Sequence, residues 1–270
     1  MTSSPIIELD HVTGSYDKGR THALRDVSLA IDALSFVALV GASGSGKTTA
    51  LKLINRLIEP DSGEVRFAGE PVENFDAPAL RRRIGYVFQG IGLFPHMTVG
   101  ENIGITPQLL GWPKPVIADR VDELLDLVDL PRNYAARLPA ALSGGQRQRA
   151  GVARAMAARP EVMLMDEPFG ALDPVTRDTL GNAYRSLHER LGMTTVMVTH
   201  DMQEAVLLAD RIVVMSAGRI IADGTPAALL AEPGDGAVAA LMEMPRRQAE
   251  RIHAMIAGNS GSGARQAPHG

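Results

Sequence analysis

The chain has 270 residues, 45% of them hydrophobic, and a formal net charge of −4. That is enough for one large domain with a real core, or a domain with a small insert and a tail, and the composition argues against disorder. The acidic balance excludes a general nucleic-acid binder. The absence of cysteine excludes disulfides and thiolate metal sites, and fits a reducing compartment.

The N-terminal MTSSPIIELDHV has no basic segment followed by a long apolar run, so no secretory signal is read there. Residues 6–12 and 26–31 alternate and predict half-buried strands. SFVALV (35–40) is continuously apolar, as suits a strand buried on both faces of a parallel sheet. Glycines follow it, and residues 47–58 have helical spacing. GEVRFAGEPV (63–72) reads as a hairpin and residues 84–88 as another strand. From 98 to 159 the pattern is mostly helical, with Val121, Leu124, Leu125 and Val128 on one face of a helix over 114–130. The sheet pattern returns with strands at 162–165, 194–199 and 211–215 and a helix near 175–190. Strands alternating with helices imply parallel pairing. Residues 233–270 read as an extension of one or two amphipathic helices broken at Pro245, ending in a disordered tail. No run reaches the ~18 apolar residues that span a bilayer, so any membrane spans must come from other chains.

GASGSGKTT (41–49) sits between the buried strand and a helix. Glycines let the backbone curl so that consecutive N–H groups face one anion, and the helix N-terminus adds positive dipole. Gly41, Ala42, Ser43, Gly44, Ser45, Gly46 and Thr49 form this Walker-type phosphate loop. Lys47 adds a full charge for the outer phosphates, and the Thr48 hydroxyl can sit on Mg²⁺.

Asp166 and Glu167 end the apolar strand VMLM. Acids there are costly unless a cation or bound water needs them, and ligand sites of open α/β sheets lie at the carboxyl ends of strands. Asp166 is the candidate Mg²⁺ ligand. Glu167, pointing to the other side of the strand, is free to orient or deprotonate a water. His200 ends the next strand, where it serves either structure or a terminal phosphate or water. Gln89 follows the strand at 84–88, and its amide could hold Mg²⁺ or a water, although a surface turn residue is the simpler reading. The run Arg81–Arg83 reads as a solvated face rather than a nucleic-acid site, because the domain is acidic overall.

A second glycine-rich stretch, LSGGQRQRAGVARA (142–155), carries Ser143 where a helix cap belongs, followed by Gly144, Gly145 and Gln146. The cap and the first-turn N–H groups make an anion site or simply a capped core helix. Without a lysine or an acid pair it has no chemistry of its own, which makes it half a site.

Together LSGGQ, the phosphate loop, VMLMDE, Gln89, ALD (171–173) and His200 resemble the ATP-binding cassette ATPases, in that family's motif order, over roughly residues 6–232. The resemblance implies a P-loop NTPase α/β core with a mostly parallel sheet, an antiparallel β subdomain and a helical subdomain at about 98–159. The ATPase domain would then span 1–232 and the extension 233–270. It also implies ATP and Mg²⁺ as cofactors, and a head-to-tail dimer in which the Ser143–Gln146 segment of one copy faces the phosphate loop of the other. By the same resemblance Tyr16, otherwise an ordinary loop residue, stacks on adenine; Gln89 senses Mg²⁺ and the membrane subunit; Asp173 crosses the interface.

A narrower resemblance, carried by VFQGIGLFPHMTVGENIG, LLGWPK and MDEPFGALDPVTRD, is to the ATPases of bacterial importers for quaternary amine osmoprotectants such as glycine betaine, choline and carnitine. It implies a peripheral subunit on the cytoplasmic face of the inner membrane, with integral permease subunits, an extracytoplasmic binding protein and no nucleic acid as partners. The alternatives are an importer of another small solute and a soluble non-transport ATPase of the same family. Two departures stand out: Ala42 replaces the usual proline, and DALSF replaces the acidic-Gly-Glu turn before the core strand. Residues 233–270 are too short for the paired regulatory CBS domains of some relatives, so ionic-strength sensing through such domains is not expected of this stretch.

Overall fold

The fold, taken from a computed structural model, is described for residues 5–17, 20–90, 92–232, 234, 236–243 and 247. Two long strands, β1 (Ile7–Ser15) and β2 (His22–Ile31), precede the buried strand β3 (Phe36–Val40) and helix α1 (Lys47–Ile54). Then come β4 (Ser62–Phe67), β5 (Glu70–Pro71), α2 (Ala77–Arg83) and β6 (Ile84–Val87), followed by the helices α3 (Val99–Leu109), α4 (Lys114–Leu127) and α5 (Gly144–Met156). The chain closes with β7 (Val162–Asp166), α6 (Pro174–Leu191), β8 (Thr194–Thr199), α7 (Met202–Leu208), β9 (Arg211–Ser216), β10 (Arg219–Gly224) and α8 (Pro226–Ala231).

The continuously apolar runs form the parallel centre of a six-stranded sheet ordered β10-β9-β3-β8-β7-β6, in which only β10 is antiparallel to its neighbour. A second, antiparallel sheet is ordered β2-β1-β4-β5. Strand β3 shows why the centre is apolar throughout: Phe36, Ala38 and Val40 enter one core cluster, and Val37 and Leu39 the other. Successive side chains point to opposite faces, so burial on both faces removes polar alternation. One core contains α1 and both sheets, and the other joins the parallel sheet to the helical layer. Because the central strands run together in register, Val40, Thr199 and Val214 lie level, and Asp166 lies beside Val198. The residues just after these strands therefore emerge along one edge.

The helical stretch at 98–159 is as expected, with short 3₁₀ turns before α5. Buried Arg120 of α4 fastens it to the end of α5 by donating to the carbonyls of Met156 (2.9 Å) and Ala157 (3.3 Å). Sequence reading missed α2, α7, α8 and β10. The hairpin β9–β10 turns on Ala217 and Gly218, both at positive φ (47° and 80°), as a two-residue type I′ connection requires. The same Ala-Gly pair, at φ 54° and 80°, turns β4 into β5. Residues 236–243 are helical and bury Val238 and Met242 in the larger core, so packing continues past residue 232. The break at Pro245 and the tail from 248 lie outside the described residues.

Both departures from the family pattern have a local account. Ala42 accepts the Ser45 amide at 3.2 Å and so keeps the loop curled. In the DALSF turn Leu34 holds φ 66° with its side chain largely exposed, where the usual glycine would sit without strain. The arginine run is exposed at Arg81 and Arg82, as a solvated face should be, while Arg81 and Arg83 also tie elements together. Arg83 donates to both Glu161 carboxylate oxygens at 2.8 and 2.9 Å, and Arg81 to the Asn55 and Arg56 carbonyls.

Candidate nucleotide site

The phosphate loop takes its shape from close backbone approaches. A Cβ on Gly41 would stand 2.1 Å from the Met215 carbonyl oxygen, and one on Gly46 (φ 102°) 2.5 Å from that of Ala23. Only glycine fits either position, whereas a Cβ on Gly44 would meet nothing within 4 Å. Lys47 lies inside the curl. Its Nζ donates to Gly41 O at 2.8 Å, Ala42 O at 2.9 Å and Ser45 Oγ at 3.3 Å. Burial lowers its pKa, while Glu167 and Asp166 oppose that shift.

Across the loop, Thr48 Oγ1 donates to Asp166 Oδ1 at 3.0 Å. Burial raises the Asp166 pKa, and the Thr48 hydrogen bond opposes it. A buried carboxylate and a hydroxyl side by side are hard oxygen donors, and no cluster of three or more His, Cys, Asp or Glu suited to a metal occurs among the described residues. Such a set suits Mg²⁺, which keeps waters and phosphate oxygens in its shell rather than taking an all-protein cage. The third candidate, Gln89, gives its amide N–H to Glu167, leaving its carbonyl oxygen for a cation or water.

Glu167 does not continue the strand as sequence reasoning assumed. It turns out of β7 at φ 50°, a conformation costing about 1–2 kcal/mol for a residue with a Cβ. The structure holds it there. Its amide donates to Val198 O at 2.9 Å, its Oε2 accepts from Gln89 Nε2 at 3.1 Å, and its Oε1 lies 3.2 Å from His200 Nδ1. The two acids thus serve different partners, Asp166 taking Thr48 and Glu167 taking Gln89 and His200, with a backbone turn rather than strand alternation between them.

Tyr16, Ser43 to Thr49, Gln89 and Glu167 line one cleft of about 210 Å³. Tyr16 is 57% exposed, with its hydroxyl 3.1 Å from Thr49 Oγ1 and Lys52 Nζ 5.0 Å from its ring centre. Ser143, Gly144, Gly145, Gln146 and Asp173 are absent from that cleft and form a separate surface. Ser143 Oγ accepts the Gln146 amide at 3.2 Å, and Gln146 Oε1 accepts the Ser143 amide at 3.0 Å, a reciprocal box that caps α5. A Cβ on Gly145 would sit 3.2 Å from Leu172 Cδ2, which places the ALD segment beside this cap. Asp173 itself caps α6 by accepting the Thr176 amide at 3.0 Å, and hydrogen bonding from the Thr176 side chain, then from its amide, lowers the Asp173 pKa.

Sequence reading missed Gln148 altogether. It falls on the face shared by Val152 and Met156, at four-residue steps along α5, and is buried like them. That spacing was the available signal.

A glycine loop between a buried parallel strand and a helix, a hydroxyl beside a strand-end aspartate, and a held carboxylate next to them define a P-loop nucleotide-binding domain. The ABC transporter family model matches residues 24–170. The chain is 51% identical over 230 residues to the choline transport ATP-binding protein OpuBA of Bacillus subtilis, covering 85% of this chain and 60% of that protein. It is 50% identical to the glycine betaine uptake system ATP-binding protein YehX of Escherichia coli, covering 85% of this chain and 74% of that one. The dimeric post-hydrolysis structure of the ATP-binding cassette MJ0796 with ADP and Pi superposes with TM-score 0.76 at 34% identity, over 82% of this chain and 98% of that one. The chain belongs to the ABC transporter ATP-binding family. It spans 60% of the length of OpuBA.

Proposed function

We propose that the chain hydrolyses ATP as the peripheral subunit of a membrane importer for a small solute, a quaternary amine such as glycine betaine, choline or carnitine. The observation that carries the chemistry is Glu167, held by Gln89 and His200 beside the Lys47 loop. In this reading adenine stacks on Tyr16 and the phosphates lie in the loop, with Lys47 Nζ leaving its carbonyl partners for the outer phosphates. Glu167 takes a proton from the attacking water. The new bond forms between the water oxygen and the γ-phosphorus, and the bond to the β–γ bridging oxygen breaks, giving ADP and phosphate. Gln89 and His200 fix both carboxylate oxygens. Thr48, Asp166 and the Gln89 oxygen would hold Mg²⁺, which neutralises phosphate charge when bound.

The second surface supports a composite site. Nothing in its own chain crowds Gly144, so a need for glycine there would come from outside. In the proposed head-to-tail dimer the Ser143–Gln146 surface meets the phosphates held by the partner copy, with Asp173 at the junction. MJ0796 is dimeric, which supports that arrangement.

A groove of about 540 Å³ supports permease docking. Phe88, Phe94 and Leu109 line it together with Arg81, Arg82 and Arg154, and no carboxylate lines it. It lies against the segment after Gln89, so membrane subunits seated there can feel the nucleotide site. No helix among the described residues is long and apolar enough to cross a membrane; in this reading separate permease subunits supply the spans and the chain sits on the membrane's cytoplasmic face. The substrate assignment draws on relatives named for choline and glycine betaine transport.

The test is Glu167→Gln, in which an amide can keep one of the two side-chain contacts. Turnover is expected to fall about 10²–10⁴-fold with ATP binding retained and ATP-dependent dimers in light scattering. Unchanged turnover refutes Glu167 as base. For the substrate, deletion of the gene is expected to lower uptake of labelled betaine, choline or carnitine under salt stress; unchanged uptake of all three removes the osmoprotectant assignment.

A further inference from the structure

One buried polar side chain on α5 takes no part in the cap or the cleft. Gln148 is 2% exposed, and a buried amide requires partners. Its partners are on another element. Nε2 donates to Pro168 O at 2.8 Å and approaches Glu167 O at 3.5 Å. These two carbonyls are the backbone immediately after the turn that aims Glu167. Glu167 is already held at its amide by Val198 and at its carboxylate by Gln89 and His200. On the carbonyl side of this residue at φ 50° the Gly170 amide donates to Glu167 O at 3.3 Å, and Gln148 adds the constraint that comes from another element, through Pro168 O. Strained conformations persist where the surroundings over-determine them.

We propose that Gln148 is a positioning residue for Glu167, fastening the aim of the carboxylate to helix α5. Gln148 follows the Ser143–Gln146 cap by less than one turn of the same helix. A ligand that shifts the start of α5 therefore shifts the anchor of the Glu167–Pro168 backbone. Hydrolysis in a chain's own cleft then depends on what its Ser143–Gln146 surface touches. This rests on Glu167 acting as the base and deepens that reading.

The test is Gln148→Met, which keeps length and volume and removes the donors. Steady-state hydrolysis is expected to lose kcat roughly 10–100-fold, as misplacing a reacting group does. The ATP dissociation constant measured by calorimetry is expected to stay within about twofold, because Gln148 itself does not line the cleft and reaches it only through the Glu167–Pro168 backbone. Glu167→Gln is run beside it. If Glu167→Gln is slow and Gln148→Met turns over like wild type, the positioning role fails while the base stands. If Glu167→Gln is itself as fast as wild type, both readings fall. Gln148→Asn, an amide one methylene short, provides the second variant and is expected to show the same split between kcat and binding. An equal loss of turnover and ATP binding in both variants, or failure of both to fold, makes Gln148 a packing residue and overturns the proposal.

Discussion

Two glycines of one loop should fail in opposite ways. Alanine at Gly41 puts a methyl 2.1 Å from the Met215 carbonyl at φ 147°, so β9 or the loop must move. Overpacking costs about 1–3 kcal/mol and a strained conformer about 1–3 more, a large part of a typical stability of about 5–15 kcal/mol. Alanine at Gly44 meets nothing within 4 Å at φ 77°. It carries a left-handed cost of about 1–2 kcal/mol, offset by about 0.4–1 kcal/mol from the stiffer unfolded chain, leaving a loss near 1 kcal/mol. Yet Gly44 lines the cleft, so its methyl enters space where phosphate would be cradled. Urea denaturation without nucleotide and ATP titration calorimetry separate the two effects. Gly41→Ala should lose several times more stability than Gly44→Ala, and Gly44→Ala should lose ATP affinity beyond its stability loss. Equal stability losses would refute the claim that the loop's first glycine is demanded by strand β9.

His188 is buried with Nδ1 3.0 Å from Thr195 Oγ1, and burial, aided by Arg185, lowers its pKa below 6.5. As pH falls through 6.5 the unfolded chain takes the proton first, so this contribution is intact above 6.5 and is lost between 6.5 and the lower folded value. Wild type should therefore lose more stability between about pH 7.5 and 5.5 than His188→Gln; parallel losses in urea melts would count against it. Leu34→Asn, at φ 66°, places a residue that tolerates the left-handed region in the turn and should raise the urea midpoint, by an amount equivalent to up to about 1 kcal/mol of unfolding free energy. A lower midpoint would show that the Leu34 side chain earns more by packing than its backbone strain costs.

Physics decides what was legible in the sequence. The central strands of the parallel sheet are buried on both faces, so β3, β7 and β9 carry continuously apolar runs and β8 an apolar run between threonines, and all four could be placed from sequence. The phosphate loop is legible because few residue types tolerate its backbone. The missed elements are short or half-exposed: β10 has no fully buried residue, and α7 and α8 are brief helices announced by Asp201 and Thr225 caps that read as ordinary loop residues. The β10 turn was readable in principle, since FAGE and SAGR carry the same Ala-Gly pair, and the first was taken for a hairpin. The contacts of Glu167 were less accessible. Gln89 and His200 lie 78 and 33 positions away in sequence, and only the order of strands in the sheet brings them to one carboxylate.

The separation of the two glycine-rich segments follows from the same geometry. The cap of α5 presents N–H groups, a serine and two glycines but no acid pair, while the cleft has the acids and lysine. A chain with both surfaces would gain nothing from closing on a nucleotide if they were independent. Gln148 removes that independence, because the backbone that aims Glu167 hangs from the helix whose start forms the other surface. The carboxylate is then well placed only when α5 is well placed. Under the proposed function, an ATPase built this way would turn over in response to assembly rather than to nucleotide alone, which is the property a subunit needs if hydrolysis is to move something else.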